Sequence, residues 1–461
     1  MSEDRLPVVV IGAGAAGFLA AIFAARPETG GPRGSRESAR GASRVLLLER
    51  TRDGGRKILM SGGGRCNVLP FQLTPARFVT ASSPNTLKKL LLSWPLGEQR
   101  RFFEETLGIP LRLEEETGKL FPVSNRSHDV RDGLRALAEH CGVEMRFESF
   151  VTGLSPDAEG QVKSGAMAGA PASAWRVGHA GGSTIRASSV IVATGGLSVP
   201  ATGSDGTGID IMRGLGHTIH DTYAALTPLT ASPHRYAALT GVSLPVTIEA
   251  PGSGRARVTR GGFLFTHKGY SGPAVLDVSH LAVLSRLRGE PPQEFYVRWT
   301  DLDAAAWDRL LLETGSTMSG TLRERIPSRL AEALLQDSGV EGSTTRSRLT
   351  REERNRLVSA LTRHPLYWTG DEGYKRAEVT GGGVALAEID PRTLESRLLP
   401  GLFLCGEILD AFGPIGGYNF AWAWATGRAA GLGAAARGSG AGVVRSGVRY
   451  TPRSRAGKEP R

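Results

Sequence analysis

A buried strand, a glycine-rich turn and a helix follow one another at the start of the chain. The run Val8–Ile11 is continuous and β-branched, which is typical of a parallel strand covered on both faces. Gly12, Gly14 and Gly17 follow in GxGxxG spacing, before an Ala-rich helical segment. The first glycine suits a tight turn, the second a close approach to a pyrophosphate, and the third close helix–strand packing. We therefore predict a doubly wound α/β fold with a dinucleotide site; a purely structural turn is the alternative.

The acidic residue of this fingerprint is expected at the end of the second strand. Val45–Leu48 is a second buried-strand run, and Glu49 ends it. The distance from the glycine motif exceeds the usual spacing of about twenty residues. Residues 27–43, rich in Arg, Gly, Ser and Glu, account for the excess as a loop insertion. Glu49 is predicted to bind a ribose hydroxyl.

Residues 8–25 carry no charge and are long enough for a membrane span to be considered. They follow the mixed-charge start MSEDRLP and are rich in Gly and Ala, so we expect neither a signal peptide nor an anchor. The cysteines Cys66, Cys141 and Cys405 lie far apart without CxxC spacing. This excludes a disulfide framework and a Cys-rich zinc site, predicts no metal, and suits a cytoplasmic protein.

The net charge of +11 is concentrated in two segments. Residues 437–461 hold seven Lys/Arg and one Glu, and residues 26–44 hold five Arg and two Glu, which gives +6 and +3. The rest of the chain is therefore near neutral. We expect a solvated, disordered basic tail and no nucleic-acid partner.

Further glycines follow later apolar runs. The stretch SGGGRCN, residues 61–67, marks a turn or a close approach of backbone to a ligand. Residues 190–193 form a strand-like run that ends at Thr194 and Gly195, and residues 402–405 form another that ends at Gly406 and Glu407. Strands that end in glycine at one edge of a parallel sheet suit a long cofactor. This favours FAD over a resident nicotinamide dinucleotide.

The middle of the chain has a different pattern. Short apolar runs with regular turn residues, from about residue 222 to 278 and around 294–302, predict a compact β domain. Residues 303–368 are helical in pattern, with a capping box at Thr350 and Glu353. The predicted domains are a FAD-binding domain in two segments (1–200 and 381–436), a β-rich, barrel-like domain (201–300, with a return strand at 369–380), a helical insert (301–368) and the tail (437–461).

Five motifs occur in an order that resembles one family. They are SGGGRCN, ATGGLSVPATGSDGTG, GFLFTHKGYSGPAVL, VTGGGV and PGLFLCGEILDAFGPIGGYNFAWAWATGRAAG. The chain is similar over about residues 8–431 to the BaiN-like, aminoacetone-oxidase-like family of NAD(P)/FAD-dependent oxidoreductases. The resemblance implies a discontinuous Rossmann-like FAD-binding domain with an inserted β-rich domain and a small helical insert.

The resemblance also implies which residues hold FAD. The first turn and Glu49 would bind the ADP half, the SGGGRCN loop would lie against the pyrophosphate and flavin, and Asp410 would accept a ribityl hydroxyl. The bare N-terminus of the helix after Gly417 would stabilise the reduced flavin. The predicted cofactor-binding residues are Gly12, Gly14, Ala15, Ala16, Gly17, Glu49, Lys57, Gly63, Gly64, Arg65, Cys66, Asn67, Val151, Thr194, Gly195, Gly406, Glu407, Asp410, Gly417, Tyr418 and Asn419.

Four side chains have two interpretations each. His267, in a Gly-punctuated loop, is the predicted catalytic acid or base, although an ordinary hydrogen-bonding histidine is the alternative. Cys66 lacks the second thiol that a redox pair needs, so a structural thiol is expected. Trp422 and Trp424 are expected to be buried helix residues.

These features predict a FAD-dependent oxidoreductase. It would transfer a hydride through flavin N5 to or from a small organic substrate, with NAD(P)H as a transient donor. It would reduce an activated C=C bond or oxidise an amine or alcohol. The alternatives are an RNA-modifying flavoprotein, suggested by the basic ends, and a non-catalytic flavin-binding redox sensor. Substrate, donor and oligomeric state stay open.

Overall fold

The structure of the protein, a computed structural model, describes residues 6–26, 44–157, 174–252 and 256–438. The Arg-rich insertion predicted at 27–43 lies outside the described residues. All but the first two residues of the predicted tail lie outside them as well.

Five parallel strands form the central sheet. The first strand, Val8–Ile11, pairs on one side with Val45–Leu48 and on the other with Ser189–Val192. Glu144–Arg146 and Leu402–Leu404 add the two edges. The chain thus starts at the centre, fills one side, and then returns to fill the other. This reversal of direction leaves a crevice at the carboxyl ends of the central strands, where doubly wound folds bind ligands.

The helices Ala15–Ala25 and Tyr418–Gly438 cross closely beside the central sheet. A Cβ atom at Gly427 would lie 2.4 Å from the backbone oxygen of Ala16, and one at Gly431 would lie 2.5 Å from that of Ala20. The first helix, which follows the glycine turn, is buried along almost its whole length because the second covers it. No helix in the described ranges is long and apolar enough to cross a membrane. The helices of this part are Ala15–Ala25, Arg56–Gly64, Pro84–Leu91, Leu96–Arg101, Ser127–His140, Thr207–Gly214 and Tyr418–Gly438.

Two small antiparallel sheets flank the central sheet. The first sheet begins with a short strand just after the SGGGRCN stretch, and its other two strands follow later in the chain. The second sheet is a meander that precedes Ser189–Val192, the fourth strand of the central sheet along the chain. Their strands are Leu69–Pro70, Leu111–Glu114 and Lys119–Pro122 in the first, and Val151–Pro156, Trp175–His179 and Thr184–Ala187 in the second.

A seven-stranded sheet forms the inserted β region. Within the predicted β domain, the apolar runs in GVSLPVTIEA, RARVTRGGFLFTH and EFYVRWTDL form the strands Ser243–Ala250, Arg257–Phe265 and Tyr296–Arg298. Its other strands are Leu229–Thr230, Gly269–Ser271, His364–Pro365 and Gly370–Asp371. A separate antiparallel pair, Ile219–Ala225 with Val379–Val384, links this region to the first domain.

The helical insert packs against this sheet. Its helices are Ala304–Glu313, Met318–Arg323, Ser328–Ser338 and Arg351–Thr362. The predicted capping box is confirmed: the Thr350 hydroxyl accepts from the Glu353 backbone N–H, and the Glu353 carboxylate accepts from that of Thr350. One prediction here is wrong. The sequence pattern predicts β structure as far as residue 278, but a helix, Pro273–Leu287, begins after Gly272 and packs on the sheet.

Among the residues that the structure describes, the apolar side chains form two large cores and one small cluster. The first core surrounds the central sheet and includes Ile209 and Met212, beyond the predicted boundary at residue 200. The second fills the inserted region between Leu229 and Leu366. The exact domain boundaries stay a prediction.

Candidate active site

A cavity of about 690 Å³ lies at the carboxyl edge of the central sheet and extends to the inserted region. Its volume is in the range of about 300–1,000 Å³ that is typical of small-molecule sites. Most of the predicted cofactor residues line it: Gly12, Gly14, Ala15, Ala16, Glu49, Lys57, Gly63, Arg65, Asn67, Val151, Thr194, Gly195, Gly406, Glu407, Gly417 and Asn419.

The three glycines of the first turn face different surroundings. A Cβ atom at Gly12, where φ is +100°, would lie 2.6 Å from the backbone oxygen of Ala193. One at Gly17 would lie 1.7 Å from the backbone oxygen of Gly12, whereas nothing lies within 4 Å at Gly14. Gly14 therefore leaves an open face at the N-terminus of a helix. The first N–H groups of such a helix have no intrahelical acceptor and can bind an anion.

Glu49 lies beside this helix N-terminus and is only 8% exposed. One carboxylate oxygen accepts from the backbone N–H of Ala13 at 2.7 Å. The other accepts from the backbone N–H and the hydroxyl of Thr51 at 2.8 and 2.7 Å. A carboxylate offers about four acceptor positions, so capacity for a ribose hydroxyl is left.

The SGGGRCN loop leaves the helical conformation at Ser61, whose ψ is 147°. Gly62, Gly63 and Gly64 then have φ values of +57°, +67° and +84°. Three consecutive residues with left-handed backbone conformation are strongly unfavourable for any amino acid except glycine. A Cβ atom at Gly63 or Gly64 would meet nothing within 4 Å, so the backbone of this loop is uncovered.

The three polar residues of the loop point to different places. The Arg65 guanidinium lies 4.0 Å from the centroid of the Phe121 ring and donates to Glu114 at 3.0 Å. Cys66 is fully buried, and burial raises the pKa of its thiol to about 12. When the side-chain amide of Asn67 is oriented so that its oxygen and its nitrogen both have hydrogen-bond partners, the oxygen accepts from the Gly417 N–H at 2.9 Å. This bond joins the SGGGRCN loop to the glycine-rich segment before the last described helix.

A hydrogen-bonded network joins two further charged residues that line the cavity, Lys57 and Glu407. The ammonium of Lys57 lies 2.8 Å from the Glu407 carboxylate and donates to the Ser198 hydroxyl at 2.7 Å. Glu407 also accepts from Ser198 at 2.8 Å and from the Thr380 N–H at 3.0 Å. Nearby, the buried hydroxyl oxygen of Thr194 has no hydrogen-bond partner among the described residues.

The long C-terminal helix begins at the cavity. Gly417, with φ of +88°, lies just before it, and a Cβ atom there would be 2.5 Å from the backbone of Leu69. Asn419 exchanges two hydrogen bonds with the backbone of Gly413, at 2.8 and 2.9 Å, which fixes the preceding loop. The residues around the cavity fit a dinucleotide such as FAD: they offer the open backbone at Gly14 and Gly63 and the unpartnered hydroxyl of Thr194.

Several predicted cofactor residues do not line the cavity: Gly17, Gly64, Cys66, Asp410 and Tyr418. Gly17 is required by backbone packing, and the Tyr418 hydroxyl accepts from Arg77 at 3.1 Å. One Asp410 oxygen accepts from the backbone N–H groups of Ala81 and Ser82, both at 2.9 Å. That carboxylate therefore holds the distant loop at residues 80–82, which its position in the sequence does not reveal.

The position of His267 does not support the predicted catalytic role. The residue lies exposed in the short turn between the strands Arg257–Phe265 and Gly269–Ser271, and it does not line the cavity. Its Gly-punctuated surroundings reflect a tight hairpin, in which the Thr266 N–H donates to the Gly269 carbonyl at 2.8 Å.

An apolar wall completes the cavity where the inserted region meets the central domain. Leu226, Leu276, Val379 and Ile415 line the cavity and pack together in the small third cluster. They come from four separate segments, so no local pattern marks them. Sequence reasoning also missed Ser198, which hydrogen-bonds Lys57 and Glu407, the cavity-lining Asp205 and Glu378, and the cavity-facing position of the buried Trp422. No set of three or more His, Cys, Asp or Glu residues in the described parts could hold a metal ion.

The fold and the cavity together define a FAD-binding protein of the Rossmann type. The family described as "HI0933-like protein Rossmann domain" matches residues 6–433, and the chain belongs to this family. The predicted family, fold class and FAD cofactor are thereby confirmed, and the protein is a FAD-dependent oxidoreductase.

Two curated relatives are similar over nearly their whole length. The ribosomal RNA dihydrouridine synthase of Escherichia coli (strain K12) is 31% identical over 92% of this chain and 96% of its own. The 3-dehydro-bile acid delta(4,6)-reductase of Clostridium scindens is 31% identical over 93% of this chain and 98% of its own. Among solved structures, 3-ketosteroid delta1-dehydrogenase from Sterolibacterium denitrificans matches with a TM-score of 0.50, 12% identity and coverage of 94% and 100%. That likeness concerns the fold alone.

Proposed function

We propose that the protein reduces a C=C bond conjugated to a carbonyl group in a small, largely apolar substrate, with NAD(P)H as the electron donor. FAD, when bound, supplies the two-electron chemistry that links donor and substrate. The observation that carries the proposal is the apolar wall, because it faces the same cavity as the glycine-rich edge.

We assign the residues that would hold FAD by their chemistry. The open helix N-terminus at Gly14, Ala15 and Ala16 suits the pyrophosphate, and Glu49 suits the ribose. The uncovered backbone at Gly63 and the helix N-terminus after Gly417 suit the flavin end. Lys57 and Glu407 would fix the polar side of the cavity by their ion pair.

The apolar wall supports an apolar substrate. Leu226 and Val379 lie at the linking strand pair, Leu276 lies on the inserted helix, and Ile415 lies in the loop before the last helix. Apolar side chains that face a cavity exclude water and favour ligands with matching surface. The names of the two relatives support the reaction class, since a delta(4,6)-reductase of a 3-dehydro-bile acid and a dihydrouridine synthase both saturate C=C bonds conjugated to carbonyl groups.

The test is an anaerobic titration of the purified, flavin-containing protein with NADH and with NADPH. Bleaching of the visible flavin band by one of them is expected, followed by recovery of the band on addition of a steroid 4-en-3-one or cyclohexenone. Bleaching by an amine or an alcohol instead would overturn the reductase assignment. Bleaching by NAD(P)H without recovery on any organic acceptor would favour a redox sensor.

Uridine in ribosomal RNA is a second candidate substrate. One relative bears that activity in its name, and the described cavity lining has more cations than carboxylates. The cations are Arg50, Arg56, Lys57, Arg65, Lys119, Lys375 and Arg376, and the carboxylates are Glu49, Asp205, Glu378 and Glu407. Incubation of the reduced protein with ribosomal RNA, followed by mass spectrometry of the nucleosides, tests it. Dihydrouridine formation that weakens with salt would favour RNA.

A further inference from the structure

The carboxylates that line the cavity differ in how they are held. Glu49 and Glu407 accept the hydrogen bonds described above, and Asp205 accepts from Thr207 and pairs with Arg50. These three carboxylates position the loops of the cavity. The side chain of the fourth, Glu378, has no hydrogen bond or ion pair with any residue in the described part of the chain.

The backbone of Glu378 is nevertheless fixed. Its N–H donates to the Leu226 carbonyl at 3.2 Å, and its own carbonyl oxygen lies 3.3 Å from the Ser198 hydroxyl oxygen. Its neighbours Ala377 and Val379 are buried, while Glu378 itself is exposed and lines the cavity. A rigid segment therefore presents a free carboxyl group to the cavity.

The surroundings of Glu378 are apolar on one side. Leu226, whose carbonyl accepts from the Glu378 N–H, and Val379, the next residue in the chain, belong to the apolar wall. On the other elements around Glu378, the charged groups are Lys57 and its ion-pair partner Glu407. On the same segment as Glu378, they are Lys375 and Arg376. The residue is open to the cavity, but the protein atoms packed around its carboxyl group reduce the hydration of the charged form; this raises the pKa of the Glu378 carboxyl above its usual value, and the Lys57 charge opposes part of this change. A carboxyl group with a raised pKa keeps its proton closer to neutral pH and can act as an acid.

We propose that Glu378 is the catalytic acid of the reaction, and that its carboxyl group donates a proton to the α-carbon of the conjugated C=C bond. This inference rests on the proposed function. The substrate's π bond breaks and two C–H bonds form, one with this proton and one with a hydride equivalent that the reduced cofactor gives up, which leaves the cofactor oxidised. Water then reprotonates the carboxylate, and NAD(P)H restores the reduced cofactor.

The test compares Glu378→Gln with Glu372→Gln. Glu372 lies on the same segment but does not line the cavity, and its carboxylate lies 4.0 Å from Lys268 and 3.7 Å from Arg376. Each flavin-containing protein is reduced with dithionite under anaerobic conditions and mixed with 4-androstene-3,17-dione as the probe. We expect E378Q to bind FAD normally and to be reoxidised about 100-fold more slowly than the wild type, with E372Q unaffected. Reoxidation of E378Q at the wild-type rate would overturn the proposal.

A second readout needs no substrate. A carboxyl group that ionises in the flavin cavity changes the visible flavin spectrum, so the oxidised proteins are titrated with pH. Wild type and E372Q are expected to show a spectral transition above the usual carboxyl range of about 4.3, and E378Q to lack it. If the probe fails to reoxidise even the wild type, the enone-reductase function fails for this probe class, and the titration still decides the placement of Glu378. Identical titrations in all three proteins would overturn that placement.

Discussion

Two glycine-rich stretches lie at the same cavity, the turn at residues 12–17 and the loop at residues 61–67. In the turn, Gly12 and Gly17 are required because backbone lies where a Cβ atom would be, at 2.6 and 1.7 Å. In the loop, Gly63 and Gly64 have free space around them but left-handed backbone. Glycine thus allows close packing of the protein on itself in one stretch, and an uncovered backbone surface in the other.

The comparison predicts different consequences of adding one methyl group. In the turn the methyl group collides with backbone, which cannot rotate away, and the fold itself is affected. In the loop it costs only conformational strain. Gly14 is the exception within the turn, because its open face belongs to the cavity and not to the packing.

The largest effect is expected for Gly17→Ala. Although alanine favours helices, its Cβ atom would lie 1.7 Å from the Gly12 carbonyl oxygen, so helix and strand must separate. We expect the free energy of unfolding to fall by about 3 kcal/mol or more, measured by urea denaturation of the apoprotein. A loss below about 1 kcal/mol would mean that this contact relaxes easily, and would break the distinction between turn and loop.

A smaller effect, confined to the cofactor, is expected for Gly14→Ser. Serine is a good N-cap residue and nothing lies within 4 Å of its Cβ position, so the stability of the apoprotein should change by no more than about 0.5 kcal/mol. The added atoms occupy the open face, and FAD affinity should fall about tenfold or more, which corresponds to about 1.4 kcal/mol. Flavin fluorescence on titration of the apoprotein measures this. Unchanged affinity would show that the cofactor does not approach Gly14.

Local patterns in the sequence predicted the parts of the site that local structure builds. The strand Val8–Ile11, its glycine turn and the strand that ends at Glu49 occur as predicted, because burial on both faces and tight turns leave a direct signature. The capping box of Thr350 is equally local. The family resemblance then ordered the distant motifs around one sheet.

Contacts between segments distant in sequence could not be predicted in the same way. Asp410 holds a loop that is more than 300 residues earlier in the chain, and its sequence position beside Glu407 gives no sign of this. The apolar wall draws single residues from four segments, and Glu378 acquires its surroundings only when they meet. His267 lies among glycines that serve a hairpin, and the sequence pattern alone does not separate a hairpin from a ligand loop.

In the SGGGRCN loop, Gly63→Ala is expected to have a moderate effect. Alanine at a φ of +67° costs about 1 kcal/mol, which urea denaturation would show as a lower free energy of unfolding. Gly63→Asn should lose less, since asparagine tolerates this conformation. As a matched control, Gly97 also has free space but lies in a helix without positive φ, so Gly97→Ala should stabilise by about 0.5–1 kcal/mol. Equal effects at both positions would remove strain as the reason for glycine in the loop.

The smallest effect is expected from the thiol of that loop. Cys66 is buried, and burial raises the pKa of its thiol to about 12, so the reactive thiolate is scarce at pH 8. All three cysteines are buried, and burial raises the pKa of each thiol. The native protein should therefore not react with a disulfide reagent at pH 8, and the protein in denaturant should show three thiols. Rapid native reaction at Cys66, located by peptide mass spectrometry, would place the thiol on the exposed side of the loop. The loop would then present a nucleophilic thiol to the cofactor as well as uncovered backbone. It would differ from the close-packed turn in its reactive groups and not only in the role of its glycines.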